Sequence, residues 1–208
     1  MMTKQQQVLS IFAGMGLLLV LVSAIGLMLY GVYFKVNASG PVRVMARVLN
    51  LPAAKVGSQS VSYDRFLMTR DAVVMFINSE AGQEVGAYMP PEKELNDNIL
   101  ERLIRQAMIA DLAKQKGIMV DDEQVNLVFE DVKSAAASST TPDVGEYLWK
   151  NYGWQEADFK EEVLRPALLE QDLATAMAQE SEGNQYALEE ALANKRAEPD
   201  VVVYLKFE

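Results

Sequence analysis

The sequence predicts a mainly helical α+β domain carried behind one apolar N-terminal segment. Three observations lead there. Residues 8–34 contain no charged side chain. Most of the body repeats its apolar residues at three- and four-residue spacing between helix starts and stops. Only two stretches favour strand, one near residues 53–63 and one at 201–207, so each must find its partner in the other.

The run from Val8 to Phe34 is rich in Leu, Val, Met, Gly and Ala. A hydrocarbon core about 30 Å thick needs roughly 20 helical residues, so this run is long enough to span it. Tyr30, Tyr33 and Phe34 suit the aromatic belt at the far interface, with Lys35 just beyond. A cleaved signal peptide is the rival, because Val36-Asn37-Ala38 resembles a cleavage site, but its apolar region would usually be only about 7–15 residues. The expectation is a single-pass anchor in the cytoplasmic membrane, touching the lipid bilayer through residues 8–34. Orientation rules oppose one another. Lys35, Arg43 and Arg47 after the run favour a cytoplasmic body, whereas the short tail before it, with Lys4 alone, is that of a signal anchor and sends the body outside. Ser10 and Gly14 form a small-xxx-small pair of the kind that supports helix pairing and also occurs often by chance.

Charge is unevenly placed. The first acidic residue is Asp64, so residues 1–63 carry a net of +5, while the rest holds 14 Lys/Arg against all 29 Asp/Glu. Such an acidic body repels phosphate backbones and argues against nucleic acid as a partner. The chain has no Cys and no His, which excludes disulfides, thiol and imidazole catalysis, the common zinc sets and lipid attachment at Cys. No metal or cofactor is expected.

Residues 36–52 are expected to form a juxtamembrane linker. Val42, Val44, Met45, Val48 and Leu49 make a short amphipathic stretch there, opposite Arg43 and Arg47. It fits either a helix lying on lipid through its basic residues or a plain spacer. Ala53–Val56 and Ser60–Tyr63 flank Gly57-Ser58-Gln59 and predict a hairpin. Ser62 caps a helix over 63–78 with Phe66, Leu67, Val73, Val74 and Phe76 inward. Residues 80–92 predict a loop. A long helix follows over 92–116, built on Leu95, Ile99, Leu100, Leu103, Ile104, Met108 and Leu112 and stopped by Gly117.

Asp121 and Gln124 predict a capping box for a helix with Val125, Val128, Phe129 and Val132 inward. After a polar break at 135–141, Thr141-Pro142 predicts the next start and Gly153 its end. A helix over 156–179 should kink at Pro166, Gly183 should break it, and 186–195 should be helical again. Val201 to Phe207 is β-branched and aromatic, a strand expected to close the sheet against the early hairpin. One domain over residues 53–208 results, its ends packed together.

Glu161-Glu162 and Glu189-Glu190 are paired carboxylates on charged helical faces, better read as solvated surface than as acid–base machinery. No nucleophile motif or phosphate loop occurs, so no catalytic residue is expected. What remains is apolar binding surface. Met68, Met75, Tyr88, Met89, Trp149, Tyr152, Trp154 and Phe159 are flexible thioethers and amphipathic aromatics, the groups adaptable peptide surfaces use, though each alone also fits core packing. Trp149 and Trp154 flank an expected helix–helix corner.

Several of these stretches resemble the SurA-type chaperones and their membrane-anchored relatives. Ala54-Lys55-Val56-Gly57 through Val61-Ser62-Tyr63-Asp64-Arg65-Phe66 is similar to the family's opening strand–turn–helix. Leu100–Gln106 through Lys114-Gln115-Lys116-Gly117-Ile118-Met119-Val120-Asp121-Asp122-Glu123-Gln124-Val125 resembles its K-x-K-G-I-x-V-x-D-E-x-V passage. Tyr152-Gly153-Trp154 with 159–168 resembles the following helical pair. The likeness covers most of 53–208. Such proteins usually insert a parvulin-type prolyl isomerase before the C-terminal segment; only residues 180–185 stand there, without the parvulin signature, so isomerase activity is not carried over. The resemblance implies a non-enzymatic holdase for unfolded or exported polypeptides, outside the cytoplasmic membrane. A fixed structural subunit of a cell-envelope complex is the alternative, and a degenerate isomerase a third.

Overall fold

The computed structural model describes residues 23, 26, 27, 29–33, 36, 39–137 and 143–207. The expected bilayer span at 8–34 and the Ser10/Gly14 pair lie largely or wholly outside these residues. Among the described residues no helix is long and apolar enough to cross a membrane.

Helix α1 (Gly40–Val48) occupies the expected linker, with Pro41 in its first turn. It is tied to the body by Arg43–Asp71 (2.5 Å) and a two-bond Arg47–Asp64 pair (2.9 and 3.1 Å). Strands β1 (Pro52–Val56) and β2 (Gln59–Ser62) form the hairpin, with Lys55 opposite Ser60 and Val56 opposite Gln59. Its turn is only Gly57-Ser58, tighter than the sequence suggests. Strand β3 (Val201–Val203) pairs antiparallel with the other edge of β1, giving the order β2-β1-β3. The first and last strands of the body therefore pair in one sheet.

The last strand is shorter than expected. A register irregularity between Pro52 and Ala54 leaves Ala53 and Ala54 both buried, and the Ala53 carbonyl accepts from both Tyr204 and Leu205 N–H. Past that point the chain leaves the ladder, Lys206 N–H donates to the Tyr33 carbonyl, and Phe207 stacks on Phe66 at 5.6 Å.

Helix α2 (Tyr63–Asn78) starts where predicted, with the Ser62 hydroxyl accepting from Arg65 N–H. Its inward residues are Tyr63, Phe66, Leu67, Thr69 and Ala72, so the buried stripe lies earlier than expected. The 80–92 loop holds a short helix, α3 (Glu80–Glu84), capped by Ser79. Helix α4 (Glu92–Gln115) is the axis of the body. It contacts α2 and both hairpin strands, and it buries Ile109, Asp111 and Ala113 as well as the predicted stripe from Leu95 to Met108, with Leu112 half-buried.

Helix α5 (Asp122–Ala137) opens on the predicted reciprocal box, Asp121 N–H to Gln124 Oε1 and Gln124 N–H to Asp121 Oδ1. Thr141-Pro142 falls outside the described residues; the observed cap of α6 (Val144–Tyr152) is Asp143, accepting from Gly145 and Glu146 N–H. Gly153 ends α6 at φ 67° as expected.

At the predicted kink the chain runs as α7 (Glu156–Phe159), a π-helical turn (Lys160–Leu164) and α8 (Arg165–Glu180). Pro166 has no N–H for the Glu162 carbonyl, and its ring crowds that oxygen; the wider turn relieves both. Helix α9 (Ala187–Arg196) follows a turn at Gly183. Among the described residues two apolar clusters result: the main core under the sheet and a smaller one of Val125, Phe129 and Leu164.

Candidate functional site

Between the main core and the smaller cluster lies a cavity of about 410 Å³. Its walls come from four places. Helix α2 contributes Ala72 and Val73, α5 contributes Val132 and Ala136, and α6 contributes Leu148 and Tyr152. Trp154 and Phe159 close the end beyond Gly153, with Val163 of the π turn beside them. The lining is predominantly aliphatic and aromatic, with Thr69 and Arg102 as its polar exceptions. Such a cavity accepts apolar side chains and offers few groups to a polar ligand.

The aromatic wall is ordered. Phe76 and Tyr152 stack at 5.0 Å with ring planes 3° apart, and Tyr152 stacks on Trp154 at 5.7 Å. The corner that carries them depends on Gly153. Its φ is left-handed, and a Cβ there would meet the Met75 sulfur at 3.2 Å. Phe159 belongs to the other wall, 6.3 Å from Phe129, whose face carries the Lys160 ammonium at 4.3 Å. Burial, with a smaller contribution from Tyr147, pushes the Tyr152 hydroxyl pKa up, so it stays a neutral donor in the wall. The Trp154 indole nitrogen is buried and has no hydrogen-bond partner among the described residues.

Three of the eight sequence-predicted residues, Tyr152, Trp154 and Phe159, are brought together at the cavity, and Met89 is exposed away from it. Met75 is exposed beside the Gly153 corner and does not line the cavity. Met68 is half-buried on α2 away from the lining, Tyr88 is exposed in the loop before α4, and Trp149 points outward, 61% exposed. Val73, Val132, Ala136, Leu148 and Val163 were not expected at a site. They are ordinary helix residues by type, and nothing in the sequence sets them apart from core residues.

Of the paired carboxylates, Glu161, Glu189 and Glu190 are exposed as expected, and Glu162 is largely buried. Glu162 accepts from Arg65 at 2.8 Å across two helices, and Glu189 pairs with Arg105, which also holds Glu170 at 2.7 Å. Each serves helix packing, with an arginine occupying the carboxylate that acid–base work would need. Among the described residues no cluster of carboxylates could hold a metal ion.

With this geometry in view, the comparison with known families is decisive. The model for the SurA-like N-terminal domain matches residues 1–174. The chain belongs to this family. Its membership implies chaperone-like binding of unfolded polypeptides. No curated protein and no solved structure matches this SurA-like chain. The match takes in both cavity walls and leaves out α9 and β3, which the fold adds to the same sheet.

Proposed function

We propose that this SurA-like domain is a membrane-tethered holdase that takes apolar segments of exported polypeptides into the cavity between α2, α5 and α6. The apolar, aromatic-walled lining carries the reading. An extended peptide brings apolar side chains that suit the aliphatic walls and main-chain carbonyls that remain free to accept. Arg102 at the lining offers a cationic end to the same carbonyls or to a chain carboxylate. The uncharged run at 8–34 supports tethering, which raises the effective concentration of the site where chains emerge. The family resemblance supports an extracytoplasmic body.

The test mixes the full chain, reconstituted in vesicles, with an unfolding model protein while light scattering is followed. Suppression of aggregation at near-stoichiometric ratios, lost in Ala136→Trp, is the expected result. A folded wild type that suppresses nothing would reject the holdase and favour a fixed envelope subunit.

A further inference from the structure

Helix α1 is amphipathic in the reverse sense to an ordinary surface helix. Both cations lie off its apolar arc and pair with carboxylates of α2: Arg43, half-buried, holds Asp71, and Arg47, its side chain 68% exposed, holds Asp64, while Ala46 packs into the core. Its apolar residues turn outward, with Val44 60%, Val48 77% and Leu49 55% exposed and Met45 beside them. At about 100° per residue these four occupy one arc of roughly 140°, and that arc carries no charge. Burying such a face against the body would have been the usual outcome.

The position of α1 in the chain says what covers this face. Val32, near the end of the uncharged run, is fully buried in the core, and the Tyr33 carbonyl accepts from Lys206 N–H at 3.1 Å. The run is therefore fixed to the body at its exit, and α1 begins only a few residues later at Gly40. Leu27, within the run, is also exposed. A bilayer holding the run must lie next to α1.

We propose that the outward face of α1 lies in the interfacial layer of the bilayer and holds the body against it through apolar side chains alone. The proposal rests on the reading that the uncharged run spans the membrane up to where Val32 enters the core of the body. It differs from the expectation of basic residues meeting anionic lipid, because both arginines are already engaged with carboxylates of the body. A second copy of the chain or a partner protein is the competing occupant.

The chain has no cysteine, so single labels can be placed at will. Full-length Val48→Cys, Leu19→Cys and Met119→Cys are labelled with an environment-sensitive fluorophore and reconstituted into phosphatidylcholine vesicles with and without doxyl lipid. Met119 is an exposed reference outside α1. The expected result is quenching at positions 19 and 48, well above that at 119. Quenching at 19 with none above the reference at 48 overturns the proposal and leaves the anchor standing. Loss of quenching at 19 removes both. A label at 48 that is shielded from aqueous iodide but untouched by doxyl lipid means protein covers the face, which also overturns it. A severalfold gain on adding phosphatidylglycerol would overturn the purely apolar contact.

Discussion

Lys195 is the place where one substitution should separate the chain's end from its beginning. It sits on α9 with 4% of its surface exposed, and its ammonium reaches Asp200 at 2.9 Å, Glu198 at 2.7 Å and Asp111 of α4 at 3.1 Å. Asp111 is equally buried and also accepts from the Ser58 N–H and hydroxyl in the hairpin turn. One cation thus joins α9, the approach to β3, the central helix and the β1–β2 turn. Lys195→Met removes it and leaves Asp111 buried beside two other carboxylates. Breaking a buried pair costs about 3–5 kcal/mol. Glu198 and Asp200 are about half exposed, and water screens such groups to less than about 1 kcal/mol each. The sum belongs at the lower end, about 3 kcal/mol, or about 6–12 °C in Tm for a chain of this size. Urea unfolding of the full chain in mild detergent, followed by the fluorescence of Trp149 and Trp154, measures it. Adding Asp111→Asn to Lys195→Met removes the stranded charge and should recover about 1 kcal/mol or more. A loss below about 1 kcal/mol, or no recovery in the double variant, would refute the reasoning.

Three further outcomes follow from the same contacts. Trp154→Ala removes the ring that closes the cavity beyond Gly153; peptide affinity should fall about fivefold to tenfold by titration, with a stability loss of about 3–5 kcal/mol in urea unfolding. Gly57→Ala should destabilise by about 2 kcal/mol, because its φ is +53° and a Cβ would lie 2.6 Å from the Asp111 carboxylate; unfolding midpoints give the value. Stability should decline at both extremes of pH. Burial raises the Asp111 pKa, but the Ser58 N–H and Lys195 outweigh it and hold it below 3.8, so its contribution is complete above about pH 4 and is lost on further acidification. Lys195 is raised above 10.5, first by Asp200 and Glu198, so its contribution is complete below that pH and disappears above it. Tyr63, fully buried, is pushed up from 10.0 to about 12 by burial, against the smaller opposing effects of Arg70 and Arg43. The unfolded chain therefore ionises first, and stability falls between those values by about 1.4 kcal/mol per pH unit. Tyr63→Phe should flatten that limb in urea midpoints taken from pH 9 to 12.

What the sequence determined by itself is local. The hydroxyl of Ser62, the Asp121–Gln124 box, and glycines at 117 and 153 act within a turn of chain, so their residue types are enough to mark where helices begin and end. The strand at 201–203 was legible for a different reason: a β-rich stretch needs a partner, and the chain offered only one. Tertiary structure alone decided which faces those elements show. The arginines of α1 could have met lipid or solvent; Asp64 and Asp71, brought up by α2, pair with them on the flank of the helix, and the valines are left facing outward. Glu162 and Glu189 became interhelical partners because Arg65 and Arg105 arrive from elements far away in sequence. The cavity belongs to the same class. Ala72, Ala136 and Leu148 carry no signal of binding, since an aliphatic residue lines a gap or fills a core according to what non-local packing sets opposite it.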